Sequence, residues 1–218
     1  MSRKKLERFA QNDEAPNMIQ PGKELFTQMK GNWDALYFQN GQPIVLELGC
    51  GRGEYTVGLA SVYPHKNFIG IDIKGARMWR GSQTALQENM HHVAFLRTKI
   101  QNLDVFFAEK EVSEIWITFP DPRPRDRDEK RRLTHPRFLE MYRKLLKEDG
   151  LVHLKTDNSG LFDYTLEVLQ SQKIKNLIFT HDLYQSELNN LHFGIKTNYE
   201  SIFTEQGFAI KYLQFSFL

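Results

Sequence analysis

The sequence predicts an α/β fold: a mostly parallel, doubly wound sheet with helices on both faces and a C-terminal antiparallel strand or hairpin at one edge. Three observations predict it. Short apolar runs alternate with segments of helical spacing between residues 43 and 172, the pattern of successive βαβ units. The first apolar run ends in a glycine-rich turn, "LGCGRGE", that opens the first helix. After about residue 174 the alternation stops, and "IKNLIFTHDLY" and "FAIKYLQFSFL" read as two strands joined by a long polar connection.

In order, "PIVLEL" (43–48) is a buried strand ending at glycines, and "GEYTVGLASVY" (53–63) carries apolar residues at helical spacing. "NFIGID" (67–72) is a strand, "GARMWRGSQTALQENM" (75–90) a helix, and "HVAFLR" (92–97) and "SEIWITF" (113–119) are strands. "PRFLEMYRKLLKE" (136–148) is an amphipathic helix, with Pro136 in its first turn and Asp149-Gly150 ending it. "LVHLKT" (151–156) is a strand and "GLFDYTLEVLQSQ" (160–172) a helix. The first 20 or so residues are polar and basic without a core pattern, which predicts a flexible or docking arm on a single domain spanning 1–218.

Hydrophobic content of 40% and charged content of 26% are those of a globular chain. No apolar run reaches the ~18 residues of a membrane span, and the basic N-terminus lacks the apolar stretch of a secretory signal. One cysteine, Cys50, excludes an intrachain disulfide. Together these predict a cytoplasmic protein. His91 and His92, with Cys50 far away in sequence, do not make a metal-ligand spacing. His153 and Trp116 read as residues of the sheet, and Trp79 as a packing residue of the helix after Asp72.

The glycine turn places Gly49, Gly51 and Gly53 after Glu47. Small residues there let a ligand approach the backbone at a helix N-terminus. A dinucleotide prefers G-x-G-x-x-G; here the spacing is G-x-G-x-G and an acid precedes it. An acid suits a cationic ligand such as S-adenosylmethionine, which carries an ammonium and a sulfonium. Asp72 ends the next strand, about 20 residues on, where a carboxylate takes ribose hydroxyls. The plainer alternative is a tight βα turn with Asp72 as a helix cap.

Ligands of such sheets bind outside the C-terminal ends of the strands. Asp121, between the prolines of "PDPRP", follows the strand at 113–119, and Asp157 follows the strand at 151–156. Glu47, Asp72, Asp121 and Asp157 therefore converge on one edge. Beyond Asp121 the chain sets six basic residues, Arg123, Arg125, Arg127, Lys130, Arg131 and Arg132, within ten positions. A local basic patch suits a polyanion even at a net charge of +2. The competing reading is a solvated loop paired internally through Asp126, Asp128 and Glu129.

The segments "ELGCGRG", "FPDPRPRDRDEKRRL", "KTDNSGLFDY" and "TNYESIF" resemble the tRNA (guanine-N7-)-methyltransferase family over residues 43 to 215. The resemblance implies a Rossmann-like methyltransferase fold, S-adenosyl-L-methionine as donor, and a guanine of the tRNA variable loop as acceptor. It implies that Glu47, Asp72, Asp121 and the glycines bind the cofactor and that Lys99 stands near the adenine, where the family carries an acid. It implies substrate binding by Arg125, Asp157, Thr197, Tyr199 and Glu200. Arg127, Lys130, Arg131 and Arg132 would touch RNA. A second departure is Arg123, where the family carries Trp. Asp157, then Asp121, are the candidate catalytic groups. The rival readings are an NAD-dependent oxidoreductase, a non-catalytic tRNA-binding protein, and a methyltransferase for another acceptor. Either a monomer or a homodimer fits the sequence.

Overall fold

The computed structural model describes residues 3–218. Its strands are β1 (Met18–Ile19), β2 (Ile44–Leu48), β3 (Asn67–Asp72), β4 (Val93–Arg97), β5 (Val112–Thr118), β6 (Leu146–Thr156), β7 (Ile174–Thr180) and β8 (Lys211–Phe217). They form one eight-stranded sheet in the order β1-β4-β3-β2-β5-β6-β8-β7. From β1 to β6 every neighbouring pair is parallel. The expected antiparallel edge is present: β8 lies between β6 and β7 and is antiparallel to both.

The helices are α1 (Arg3–Glu14), α2 (Glu54–Val62), α3 (Gly75–Gln87), α4 (Leu103–Phe106), α5 (Pro136–Leu145), α6 (Ser159–Gln170) and α7 (Asn198–Glu205). Successive strand residues point to opposite faces, so each central strand feeds two cores. Ile44, Leu46 and Leu48 of β2 pack with Phe138, Leu139 and Tyr142 of α5 and Phe162 of α6. Val45, Phe95 and Trp116 pack with Tyr55, Leu59 and Ala60 of α2 and Met78 of α3. Burial on both faces explains why β2 reads as an unbroken apolar run rather than an alternation.

Parallel pairing sets the carboxyl ends of β2, β3, β5 and β6 along one edge. Gly53 shows how tightly the first turn is packed there. Its φ is +73°, and a Cβ on it would stand 2.6 Å from the Phe95 ring, closer than any substituent tolerates.

Of the two expectations for the N-terminal segment, flexible or docking, the structure shows the docked one. It forms α1, which lies on α3, and then β1, which adds to β4. Polar and apolar contacts both hold it there. Asn12 Nδ2 donates to the Gly75 carbonyl at 2.8 Å, and Asn17 Nδ2 donates to the Ser82 carbonyl while Ser82 Oγ donates back to Asn17 Oδ1. Met18 and Ile19 are buried beyond them. Helix α5 also ends earlier than expected, at Leu145. The chain is already extended at Leu146, which pairs with Val112, and the ladder to β5 resumes at Leu151 after a register break. Between β1 and β2, Trp33–Phe38 makes a wide helical turn whose fully buried indole donates to the Phe106 carbonyl at 2.9 Å.

Replacing Asn17 by Ala leaves the buried Ser82 hydroxyl without the acceptor it uses and removes the second donor to the Ser82 carbonyl. Urea unfolding is expected to show a loss of about 1–3 kcal/mol; an unchanged midpoint would mean that α1 and β1 do not hold the N-terminus on the sheet.

Candidate active site at the carboxyl ends of the strands

A cavity of about 720 Å³ opens at the edge where β2, β3 and β5 end. Glu47, Gly49, Gly51, Asp72 and Asp121 line it, together with Thr197 and Tyr199.

Glu47 is the innermost acid, at 3% exposure on a wholly buried strand. Thr118 Oγ1 donates to one carboxylate oxygen at 2.6 Å and Thr56 Oγ1 donates to the other. Burial pushes its carboxyl up to about 7, the two threonine hydrogen bonds oppose that rise, and Asp72 adds to it by repulsion. Such a group is stable neutral or beside a cation. Asp72 works differently. One of its oxygens accepts from Gly51 N–H at 3.0 Å and the other from Lys74 N–H at 2.9 Å. It therefore ties the glycine turn to the start of α3 and lines the cavity as well, so its capping and ligand-facing readings are compatible.

Gly49 has φ +79°, and nothing lies within 4 Å of where its Cβ would be. A side chain there would project into open space on the ligand side of the turn. An open glycine turn flanked by Glu47 and Asp72 fits a ligand that brings a cation and vicinal hydroxyls, as S-adenosylmethionine does.

Asp121 lies on the rim. Its carboxylate pairs with Arg123 at 3.1 Å and also accepts from the Arg123 N–H. Arg123 thus sits on the acid of its own turn.

Several sequence-predicted residues stand elsewhere. Gly53 does not line the cavity; it is there to admit Phe95 and Gly81. Lys99 is exposed at the start of a short turn and is not part of the lining. Asp157 follows β6, one strand beyond, half-buried, with its carbonyl accepting from Lys211 Nζ at 3.2 Å. Glu200, expected to bind substrate, is fully buried and paired with Lys155 at 2.7 Å; it is the acid of the α7 capping box, a position that turns it inward.

The basic arm is a 3₁₀ turn, Asp126–Arg131. Buried Asp128 holds Arg125 at 3.2 Å and Arg131 at 3.0 Å, and the Arg131 hydrogen bond keeps its carboxyl below the ordinary value. Arg132 stacks on the Tyr164 ring at 4.3 Å and donates to the Arg123 carbonyl. Arg127 and Lys130 are exposed and make no ion pair among the described residues. The arm is internally braced and still presents cations to solvent.

Sequence reasoning missed Thr56 and Thr118, which hold Glu47, and Arg8 of α1, which reaches the cavity beside Trp79. Thr118 was legible in one respect: a hydroxyl ends the strand beside the one that carries a buried acid.

The family model Methyltransf_4, described as "Putative methyltransferase", matches residues 41–213. A tRNA (guanine-N(7)-)-methyltransferase of Cytophaga hutchinsonii is 54% identical over all of this chain and 99% of its own length. The chain belongs to the tRNA (guanine-N7-)-methyltransferase family. A more distant relative of the same description, from Clostridioides difficile, is 38% identical and covers 84% of each chain. Among solved structures, the 16S rRNA methyltransferase KamB superposes with a TM-score of 0.61 at 12% identity, covering 88% of this chain and 92% of that one. It shares the fold. Membership in this family removes the oxidoreductase reading. Among the described residues no helix is long and apolar enough to cross a membrane.

The elevated Glu47 carboxyl gives the site a pH dependence. Its contribution to stability is present below about 4.5 and is lost as pH rises through about 7, because only the folded state holds that proton in between. A cation beside the carboxylate reverses this, so affinity should grow with pH. Calorimetric titration is expected to give S-adenosylmethionine binding on the order of 10-fold weaker at pH 6 than at pH 7.5. Glu47→Gln should bind weakly at both values; affinity independent of pH in the unaltered protein would contradict the assignment.

Proposed function

We propose that the protein transfers a methyl group from S-adenosylmethionine to N7 of a guanine in the variable loop of tRNA. The observation that carries this reading is the buried carboxylate of Glu47 beside an open glycine turn, one strand from a braced basic arm.

When bound, S-adenosylmethionine supplies an electrophilic methyl on a sulfonium, and transfer to N7 leaves S-adenosylhomocysteine and a cationic 7-methylguanine. Guanine N7 has a lone pair and no proton, so the chain needs no general base for the attack. Its task is alignment. Glu47, Asp72 and the glycine turn hold the donor, and Asp157 is the candidate to accept from the guanine N1–H or amino group and offset the charge that develops on the ring. Asp121, beside Arg123, is the weaker candidate because its carboxylate is already paired.

The arm supplies affinity and register through the phosphates. Arg127 and Lys130 face solvent, while Asp128 holds Arg125 and Arg131 at a fixed spacing along the turn. A guanine held in tRNA tertiary structure must leave its stack to reach N7 chemistry, at a cost of a few kcal/mol, and contacts to the backbone offset it. The substrate also places the protein where unmodified tRNA is found, in the cytoplasm.

The test is transfer of labelled methyl to unmodified tRNA, followed by borohydride and aniline, which cleave at 7-methylguanine. Cleavage in the variable loop is expected; labelled tRNA that resists cleavage would overturn the atom, and tRNA binding without transfer would leave only an RNA-binding role. Asp157→Ala is expected to lower turnover by at least about 100-fold with S-adenosylmethionine affinity kept. Full turnover in that variant would remove Asp157 from the chemistry.

A further inference from the structure

Lys155 and Glu200 form an ion pair of 2.7 Å with both side chains at 0% exposure. Lys155 is on β6, two residues before Asp157; Glu200 is in the first turn of α7. The pair is enclosed by a small network. Tyr184 Oη donates to Glu200 at 2.6 Å, Lys155 Nζ donates to the Ile195 carbonyl at 3.4 Å, and the ammonium lies 5.0 Å from the centre of the Tyr55 ring. Tyr55 precedes Thr56, whose hydroxyl holds Glu47.

The other end of the network reaches the cavity. Glu200 accepts from the Thr197 N–H at 3.4 Å and its own N–H donates to Thr197 Oγ1 at 3.1 Å. Thr197 and Tyr199 both line the cavity. Ile195 fills the space over Gly58, where a Cβ would meet it at 2.6 Å, and Phe203 stacks near Phe119 of the rim at 6.3 Å. The start of α7 is therefore fixed on three sides.

A buried ion pair is an expensive way to hold a helix, because apolar residues of similar volume hold it as well or better. What charges add is one permitted geometry. We propose that Lys155 is a positioning residue: through Glu200 it sets the start of α7 so that Thr197 and Tyr199 close the cavity over the acceptor base. The proposal rests on the methyl-transfer reading of that cavity. It also explains why a glutamate in the segment 197–200 faces inward.

The full-length protein tests it with Lys155→Met and the charge-keeping Lys155→Arg. Hydrogen exchange of the amides at 199–205 should quicken by at least about 10-fold in Lys155→Met while amides of β2, β3 and β5 keep their protection. Turnover on tRNA should fall on the order of 100-fold with the KM for S-adenosylmethionine within about threefold, and Lys155→Arg should restore most of both. Unchanged α7 exchange, or an Arg variant no better than Met, overturns the proposal. Should Lys155→Met fail to fold, Tyr184→Phe decides: it removes one donor to Glu200 without stranding the lysine. Slower turnover with faster α7 exchange supports the proposal, and wild-type values for both overturn it. The exchange readout separates the two claims, since an α7 change in a protein whose unaltered form methylates no tRNA sustains the positioning role and sinks the functional reading.

Discussion

A carboxylate in the middle of a sheet is costly unless something answers its charge. Glu47 sits on β2, a strand whose five residues are all buried, and the hydrogen bonds that answer it come from Thr56 and Thr118. Everything around the site follows from that placement. Thr56 must lie in the first turn of α2, which requires the tight glycine turn; Thr118 must end β5 in register beside β2. Asp72 then ties the turn to α3. The fold holds at the floor of a cavity a buried carboxyl that no cation pairs with among the described residues, and on the proposed function the cationic donor answers it.

The walls of the cavity are built by different means. On one side α1 lies against α3 and brings Arg8 beside Trp79. On another, α7 is locked by the Lys155–Glu200 pair and offers Thr197 and Tyr199. The basic turn after β5 is braced by Asp128 below and Tyr164 beside it, so its cations reach solvent from a rigid base. Buried acid at the cavity floor and exposed cations on the turn that follows β5 match the proposed ligand pair: a positively charged donor and a polyanion.

The parts visible in the sequence are those written in one local register. The strands from β2 to β6, helices α2, α3 and α6, and the turn after Glu47 each follow from apolar spacing or from glycines in a row. What stayed hidden depends on contacts between distant residues. Helix α1 has few apolar anchors, and its docking rests on Asn12 and Asn17 meeting α3; nothing in a polar, basic stretch announces that. Glu200 was placed at the site by its neighbours along the chain, but a capping box turns the third residue of a helix back on its own start. Lys99 was assigned by position after β4, and the chain there turns outward. The arm's internal pairing was readable from the spacing of Asp128 to Arg125 and Arg131, three residues on either side, though not which cations would remain exposed.

On the proposed function, Glu47 is kept poised by burial and is answered by the cation of the donor. Carboxyl ¹³C NMR of Glu47 tests it directly, as a titration in the free protein and in the presence of S-adenosylmethionine. The expected result is a midpoint near 7 in the free protein and a fall of at least about one pH unit when the donor binds. An ordinary glutamate midpoint in the free protein, or one that the donor leaves in place, would contradict it.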